Sequence, residues 1–295
     1  MKLLVTGRDG QLVRSIRELA ARQSGIEIVT AARPAVDLAI AGSVRQAILA
    51  ERPDVVVNAA AYTLVDRAED EPDLARRINA EAAGEAAAAA AELGAPIIQI
   101  STDYVFDGTA TEPIDEGRAT SPINVYGATK LAGEEAVRRE NEAHVVLRTA
   151  WVVSPFGKNF VTSMLGAARQ RPELTVVADQ QGSPTSALDL AAAILHLAPM
   201  IGEKPGQLLG RTFHLGGRGE ASWFDLARAT MEEAEAAGLP FAQVRPILSS
   251  EWPTQARRPS YSVLDSRRFE RATGFAMPPW RESLAVIVKR LAGVR

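Results

Sequence analysis

The chain of 295 residues contains no cysteine, which excludes disulfides and thiolate metal sites. A cytoplasmic location is the expectation, although cysteine-free chains occur in any compartment. Histidine is also scarce: His144, His196 and His214 show no metal-ligand spacing, so none is assigned to a metal. No run approaches the ~20 consecutive apolar residues that span a bilayer. The opening "KLLVTG" leaves no room for a signal peptide, so no membrane association is expected. A net charge of -3 gives no electrostatic reason to expect nucleic acid as a partner. What is present is an ordinary globular balance, 46% hydrophobic and 23% charged, sufficient for a sizeable core.

Short β-rich runs alternate with helical patterns. In order come "KLLVTG", a helix near 11–23, "IEIVTAA", a helix near 43–51, "DVVVNAA", a helix near 73–93, "PIIQIST", a helix near 123–140 and "HVVLRTAWVV". Continuous apolar strands suit a parallel sheet covered on both faces. The alternation predicts an α/β fold with a doubly wound, Rossmann-type parallel sheet. After about residue 155 the pattern becomes irregular, but "RTFHLGG" (211–217) reads as one more sheet strand. The expectation is a dinucleotide-binding domain over 1–155 plus 185–216, and a smaller discontinuous substrate domain over 156–184 plus 217–295. The small-residue helix "EAAGEAAAAAAELG" (81–94) should pack on its own sheet, with Gly94 as its C-cap.

Gly7 and Gly10 follow a strand and precede a helix. The first would make the turn and the second admit a pyrophosphate to the backbone, with the helix N-terminus as anion site. Val13 stands where the third glycine of that fingerprint belongs. A β-branched residue there should displace the helix slightly without abolishing binding. At the end of the second strand Ala31 and Ala32 offer no carboxylate for a ribose, and Arg33 follows. A guanidinium pairs well with a 2′-phosphate, so NADPH is the expected cofactor, with NADH as the alternative.

"YGATK" places Tyr126 and Lys130 on one face of a helix. A nearby ammonium, helped by an oxidised nicotinamide, should lower the pKa of the phenol from its ordinary ~10 and make it an acid–base group. The preceding strand ends in Thr102 and Asp103, where ligands of doubly wound sheets gather.

These features have the order and spacing of the extended short-chain dehydrogenases/reductases. The blocks "NAAAYTLVDRAE", "STDYVFDG", "SPINVYGATKLAGE", "LRTAWV", "DQQGSPT" and "ARRPSYSVLD" together resemble the dTDP-4-dehydrorhamnose reductase family, from near residue 1 to about 270. The resemblance implies reduction of the C4 keto group of dTDP-6-deoxy-L-lyxo-4-hexulose to dTDP-L-rhamnose. It makes Tyr126 the proton donor, Lys130 its electrostatic partner and ribose ligand, and Thr102 the hydroxyl on the substrate oxygen. Asp103 and Trp151 should contact the sugar. Gly10, Gln11 and Leu12 match the pyrophosphate turn, Asp37 and Leu38 the adenine side. Ala61, Tyr62, Thr63 and Ile100 lie along the cofactor. Arg257 and Arg258, in the "ARRP" block, are candidates for a structural or diphosphate role.

Two rivals stand beside this reading. One is a sugar-nucleotide dehydratase or epimerase of the same superfamily; dehydratases carry a glutamate where this chain has Tyr104. The other is a non-catalytic dinucleotide-binding subunit resembling the regulatory subunit of methionine adenosyltransferase. The protein is expected to be a monomer or homodimer. No bound magnesium is expected, because Ser15 stands where metal-bridged family members carry an acid.

Overall fold

The computed structural model describes residues 1–293; positions 294 and 295, part of the expected substrate domain, lie outside the described residues. A six-stranded, wholly parallel sheet organises the first half. Its strands are β1 (Lys2–Thr6), β2 (Glu27–Ala31), β3 (Val55–Asn58), β4 (Ile97–Thr102) and β5 (His144–Thr149), with Arg211–His214 at one edge. The order from that edge is Arg211–His214, β5, β4, β3, β1, β2. The expected return of the chain at "RTFHLGG" is thus an edge strand beside β5.

Every residue of β3, β4 and β5 is buried, because helices cover both faces. Leu3, Val5, Ile98 and Leu147 face α1 (Gln11–Ala20) and the helix Ala187–Glu203. Leu4, Val56 and Ile97 face α2 (Ser43–Glu51) and the helix Ala82–Glu92. The alternation Leu3, Leu4, Val5 across the two layers is the two-residue period of a strand. Ala83, Ala86, Ala87 and Ala90 are fully buried in the second layer, so the small-residue helix does pack on its own sheet. Its small side chains also admit a second helix, Val125–Glu140: a Cβ on Gly84 would stand 3.2 Å from the Cβ of Ala136.

Two expected elements are interrupted. The helix expected over 73–93 is helical over Pro72–Arg76, widens to a π-helical stretch at Arg77–Glu81, then resumes as Ala82–Glu92. The widened stretch places Asn79 so that its amide binds Tyr62 N (2.8 Å), Tyr62 O (3.2 Å) and Thr129 Oγ1 (3.1 Å). Gly133 lets the neighbouring helix approach the carbonyl of Asn79, where a Cβ would collide. The strand expected over 144–153 stops at Thr149. Trp151 turns the chain with φ of 45°, and Val152–Val153 then pairs with Thr185–Ser186.

The C-terminal part builds its own layer. Parallel strands Glu173–Val177 and Gln243–Ile247 lie with helices Phe160–Ala168, Trp223–Ala236 and Trp280–Leu291 around Val161, Leu226, Leu284 and Ile287. Among the described residues, no helix is long and apolar enough to cross a membrane.

Candidate active site

Apart from Ile100, which lies within β4, the expected cofactor and substrate residues lie at or beyond the carboxyl ends of adjacent strands. Arg33, Asp37 and Leu38 follow β2, while Gly7, Gly10, Gln11 and Leu12 follow β1. Ala61, Tyr62 and Thr63 follow β3. Thr102 ends β4 with Asp103 next, and Trp151 follows β5. Because β1 connects to β2 on one side and β3 lies on its other side, the crevice opens at the switch point of the sheet.

The glycine turn leaves open space and uncapped N–H groups at the start of α1. Gly7 takes φ of 95°, and its N–H donates to the carbonyl of Ala31 at 2.7 Å. Nothing lies within 4 Å of where a Cβ on Gly10 would stand. No side chain caps α1 and no acid occupies its first turn, so its leading N–H groups remain available. Val13 is buried against the turn, with Cγ2 3.4 Å from the position of a Cβ on Gly7. It fills space beside the turn and leaves the N-terminus of α1 open. Gln11 adds a feature the sequence did not suggest. Its amide binds Val152 O (3.2 Å) and accepts from Ser154 Oγ (2.8 Å), joining the turn to the loop after Trp151.

Other cofactor candidates have local partners. Asp37 accepts from Ala39 N at 3.0 Å, and Leu38 is packed in the core with Val36. Tyr62 is buried and its hydroxyl donates to Glu71 at 2.5 Å, while Ala61 is half-buried and Thr63 exposed. Arg33 is exposed.

The helix Val125–Glu140 brings Tyr126 and Lys130 against the end of β4. Asn124 caps it by accepting from Gly127 N at 2.7 Å, and Gly127 is needed because a Cβ there would strike the carbonyl of Tyr104. Lys130 is buried and its Nζ donates to Ile100 O at 2.6 Å. Burial lowers its pKa to about 8, against the opposing charge of Glu134. Ile100 therefore enters the site through its carbonyl.

Tyr126 corrects one expectation. Burial pushes its pKa up to about 12, with Thr102 pulling down and the charge of Asp103 pushing up. Lys130 is not among the groups that move it, and desolvation of the phenol outweighs the hydrogen bond from Thr102. Thr102 donates to Asp103 Oδ1 at 3.0 Å. The other carboxylate oxygen, Oδ2, is buried without a hydrogen-bond partner among the described residues. Burial raises the Asp103 pKa to about 6, opposed by the hydroxyls of Ser262 and Thr102. Thr149, paired with Thr102 across β4 and β5, also has a buried hydroxyl oxygen without a partner. Such orphaned atoms mark where a ligand's polar groups would be received.

Trp151 stacks on Trp223, centroids 3.6 Å apart and planes within 5°. Its ring lies over Gly182, where a Cβ would collide with it. Holding a bulky residue at positive φ costs strain, which this packing over-determines.

The family profile described as "RmlD substrate binding domain" matches residues 1–292. The chain belongs to the dTDP-4-dehydrorhamnose reductase family. It is therefore an oxidoreductase by family. A dTDP-4-dehydrorhamnose reductase of Sinorhizobium fredii is 43% identical over 289 residues, 98% of this chain and 97% of that protein. The crystal structure of a family member from Clostridium acetobutylicum superposes with a TM-score of 0.90 at 40% identity, covering 99% of both chains. That of Bacillus anthracis, in complex with NADP, gives 0.88 at 36% identity, covering 98% of this chain and 99% of that one.

Four neighbours of the cluster around Lys130 escaped the sequence reading: Glu134, Arg148, Arg138 and Ser101. Glu134 is fully buried and binds Arg148 through both oxygens, at 2.8 and 2.7 Å. The signal was present in "HVVLRTAWVV", because an arginine inside an otherwise apolar strand requires a buried anion.

Proposed function

We propose that the chain reduces the C4 keto group of dTDP-6-deoxy-L-lyxo-4-hexulose to dTDP-L-rhamnose, with NADPH as reductant. The observation that carries this reading is the cluster at the end of β4, where the half-buried Tyr126 meets the buried Lys130, Thr102 and Asp103 beside an open glycine turn. The turn formed by Gly7, Gly10, Gln11 and Leu12 would hold the pyrophosphate. The region of Asp37 and Leu38 would flank the adenine, and Ala61, Tyr62 and Thr63 would line the remaining path. NADPH is favoured because Arg33 is exposed beside Ala31 and Ala32, where no carboxylate opposes a 2′-phosphate. The Bacillus anthracis relative crystallised with NADP agrees with that choice.

The nicotinamide, when bound, supplies the hydride that none of these side chains can provide. The chain's own residues manage the carbonyl oxygen. Thr102 hydrogen-bonds it, and Tyr126 gives it a proton as it becomes a hydroxyl. A phenol whose pKa burial has raised to about 12 is fully protonated at neutral pH, the form needed for reduction. Lys130 then stabilises the phenolate left behind. Asp103 and Trp151 would hold the sugar, with the bare Oδ2 as acceptor for a sugar hydroxyl. In the proposed division, 1–155 plus 185–216 holds the dinucleotide and presents Thr102, Asp103 and Trp151 to the sugar, while 156–184 plus 217–295 forms the rest of the substrate side.

Dehydration is disfavoured because Tyr104, a phenol whose pKa burial raises further, stands where dehydratases of the superfamily carry a glutamate. Turnover of the keto sugar nucleotide, followed by NADPH absorbance, tests the proposal. Oxidation of NADPH with formation of dTDP-rhamnose is expected. Tight NADPH binding with no turnover would favour a binding subunit.

A further inference from the structure

Behind the site lies a buried charge cluster that the chemistry above does not use. Glu134 follows Lys130 by one helical turn on the same face and is fully buried. Its carboxylate accepts Arg148 Nε and Nη2 from β5, at 2.8 and 2.7 Å. It also accepts Arg138 Nη2 at 2.8 Å and the Ser101 hydroxyl from β4 at 2.5 Å. Ser101 immediately follows Ile100, whose carbonyl receives Lys130 Nζ. The acceptor of the ammonium and the donor to Glu134 are therefore adjacent residues of one strand.

Stability alone is a poor account of this arrangement. Buried ion pairs can often be replaced by apolar residues at little cost, since desolvation offsets their attraction. An apolar replacement would nevertheless leave the buried Lys130 without a negative charge on its inner side. The other ionisable groups near it do not fill that role. Tyr126 is a neutral phenol, and Arg138 and Arg148 are cations. Asp103 accepts from Thr102 at 3.0 Å and is not among the groups that shift Lys130. On the packed segments before the helix, Glu69 caps Val125 at 2.9 Å, and Arg77 and Glu85 pair with each other at 2.9 Å.

We propose that Glu134 is a positioning residue for the reaction. It holds Lys130 as an ammonium and, through Ser101, fixes the β4 carbonyl against which that ammonium lies. The inference rests on the role of Lys130 given above, but its first test does not. The chain has five lysines, so lysine labelled with ¹³C at Cε gives a spectrum simple enough to follow Lys130 by pH titration of the free protein. Its resonance is assigned by loss in Lys130→Arg.

Glu134→Gln should move the Lys130 midpoint down by roughly one pH unit. Arg138→Met, which removes a competing cation from the half-exposed end of the cluster, should move it up. Glu134→Asp should restore most of the wild-type value. If Glu134→Gln does not fold, the double variant Glu134→Gln/Arg148→Met leaves no unpaired guanidinium from β5; it removes one anion and one cation, so its midpoint is read against Arg148→Met alone and should lie roughly one pH unit below it. A midpoint unchanged in a folded Glu134 variant would overturn the inference and leave the cluster structural. The alkaline limb of kcat/KM should follow the same shifts. Midpoints that move while the rate profiles stay fixed would instead refute the catalytic role of Lys130.

Discussion

At the scale of single residues, the proposed reaction separates groups that carry protons from groups that set charge. Tyr126 is kept protonated by burial, so its hydroxyl is the group whose loss should matter most. Tyr126→Phe should lower kcat by about 10²–10⁴-fold while NADPH affinity, followed by fluorescence titration, stays near wild type. A variant turning over at the wild-type rate would refute the assigned proton donor. Asp103 links the same site to stability. Its folded pKa of about 6 lies above the ordinary carboxyl value. The folded state therefore binds the proton more tightly, and stability falls as pH rises from about 4 through 6. Asp103→Asn removes that penalty. Its melting temperature should exceed wild type by a few degrees at pH 8, and the gain should shrink towards pH 4, while kcat/KM falls. An equal gain at both pH values would contradict this linkage.

At the scale of elements, the parallel sheet was legible because strands buried on both faces must read as continuous apolar runs. The positions of Tyr126, Lys130, Thr102 and Asp103 followed from helix period and strand end. Features depending on contacts between distant segments were not legible. Nothing in "WVVSPF" shows that Trp151 turns the chain and stacks on Trp223, 72 positions later. Nor does "RRINAE" show a π-helical stretch, which exists to deliver Asn79 to Tyr62 and Thr129. Two elements can be tested directly. Gly182→Ala places a methyl group where the Trp151 ring lies, and should cost roughly 10- to 100-fold in kcat/KM for the sugar nucleotide. NADPH affinity should change little, and an unaltered kcat/KM would remove Trp151 from the substrate site. Val13→Gly should tighten NADPH binding modestly. Because Val13 is buried beside Leu12 and Ile16, the change should also cost about 3 kcal/mol from lost burial and helix propensity. Titration and melting in the absence of cofactor separate the two effects; weaker binding in the variant would show that Val13 supports the turn.

At the scale of the whole molecule, the two halves meet along a strap rather than only at the crevice floor. Residues 255–260, from the C-terminal part, cross to the strand-end loops of the sheet. Gln255 donates to Asp70 at 2.6 Å, Ala256 N to Asp66 at 3.1 Å and Arg258 Nη2 to Asp66 at 2.7 Å. Asn124, the cap of the Tyr126 helix, donates to Arg257 O at 2.8 Å, and Ser260 Oγ to Gly108 O at 2.8 Å. Gly108 is required there, since a Cβ would stand 2.6 Å from Pro259 Cα. Arg258 also lies over the Tyr104 ring, 5.9 Å from its centroid, and Tyr104 packs edge-on against Tyr126. The strap therefore reaches Tyr126, the proposed proton donor, through one aromatic ring. Asp66 is nearly half exposed, so the ion pair itself is worth no more than about 1 kcal/mol after screening. Its larger effect should be geometric. Arg258→Met keeps the packed stem but removes both the pair and the charge over Tyr104. It should lower kcat/KM for the sugar nucleotide several-fold with NADPH affinity unchanged, because the glycine turn lies on the other side of the crevice. Steady-state rates and NADPH titration on one preparation check both halves of that expectation. A parallel loss of cofactor affinity would mean that the strap holds the dinucleotide loops and not the substrate side.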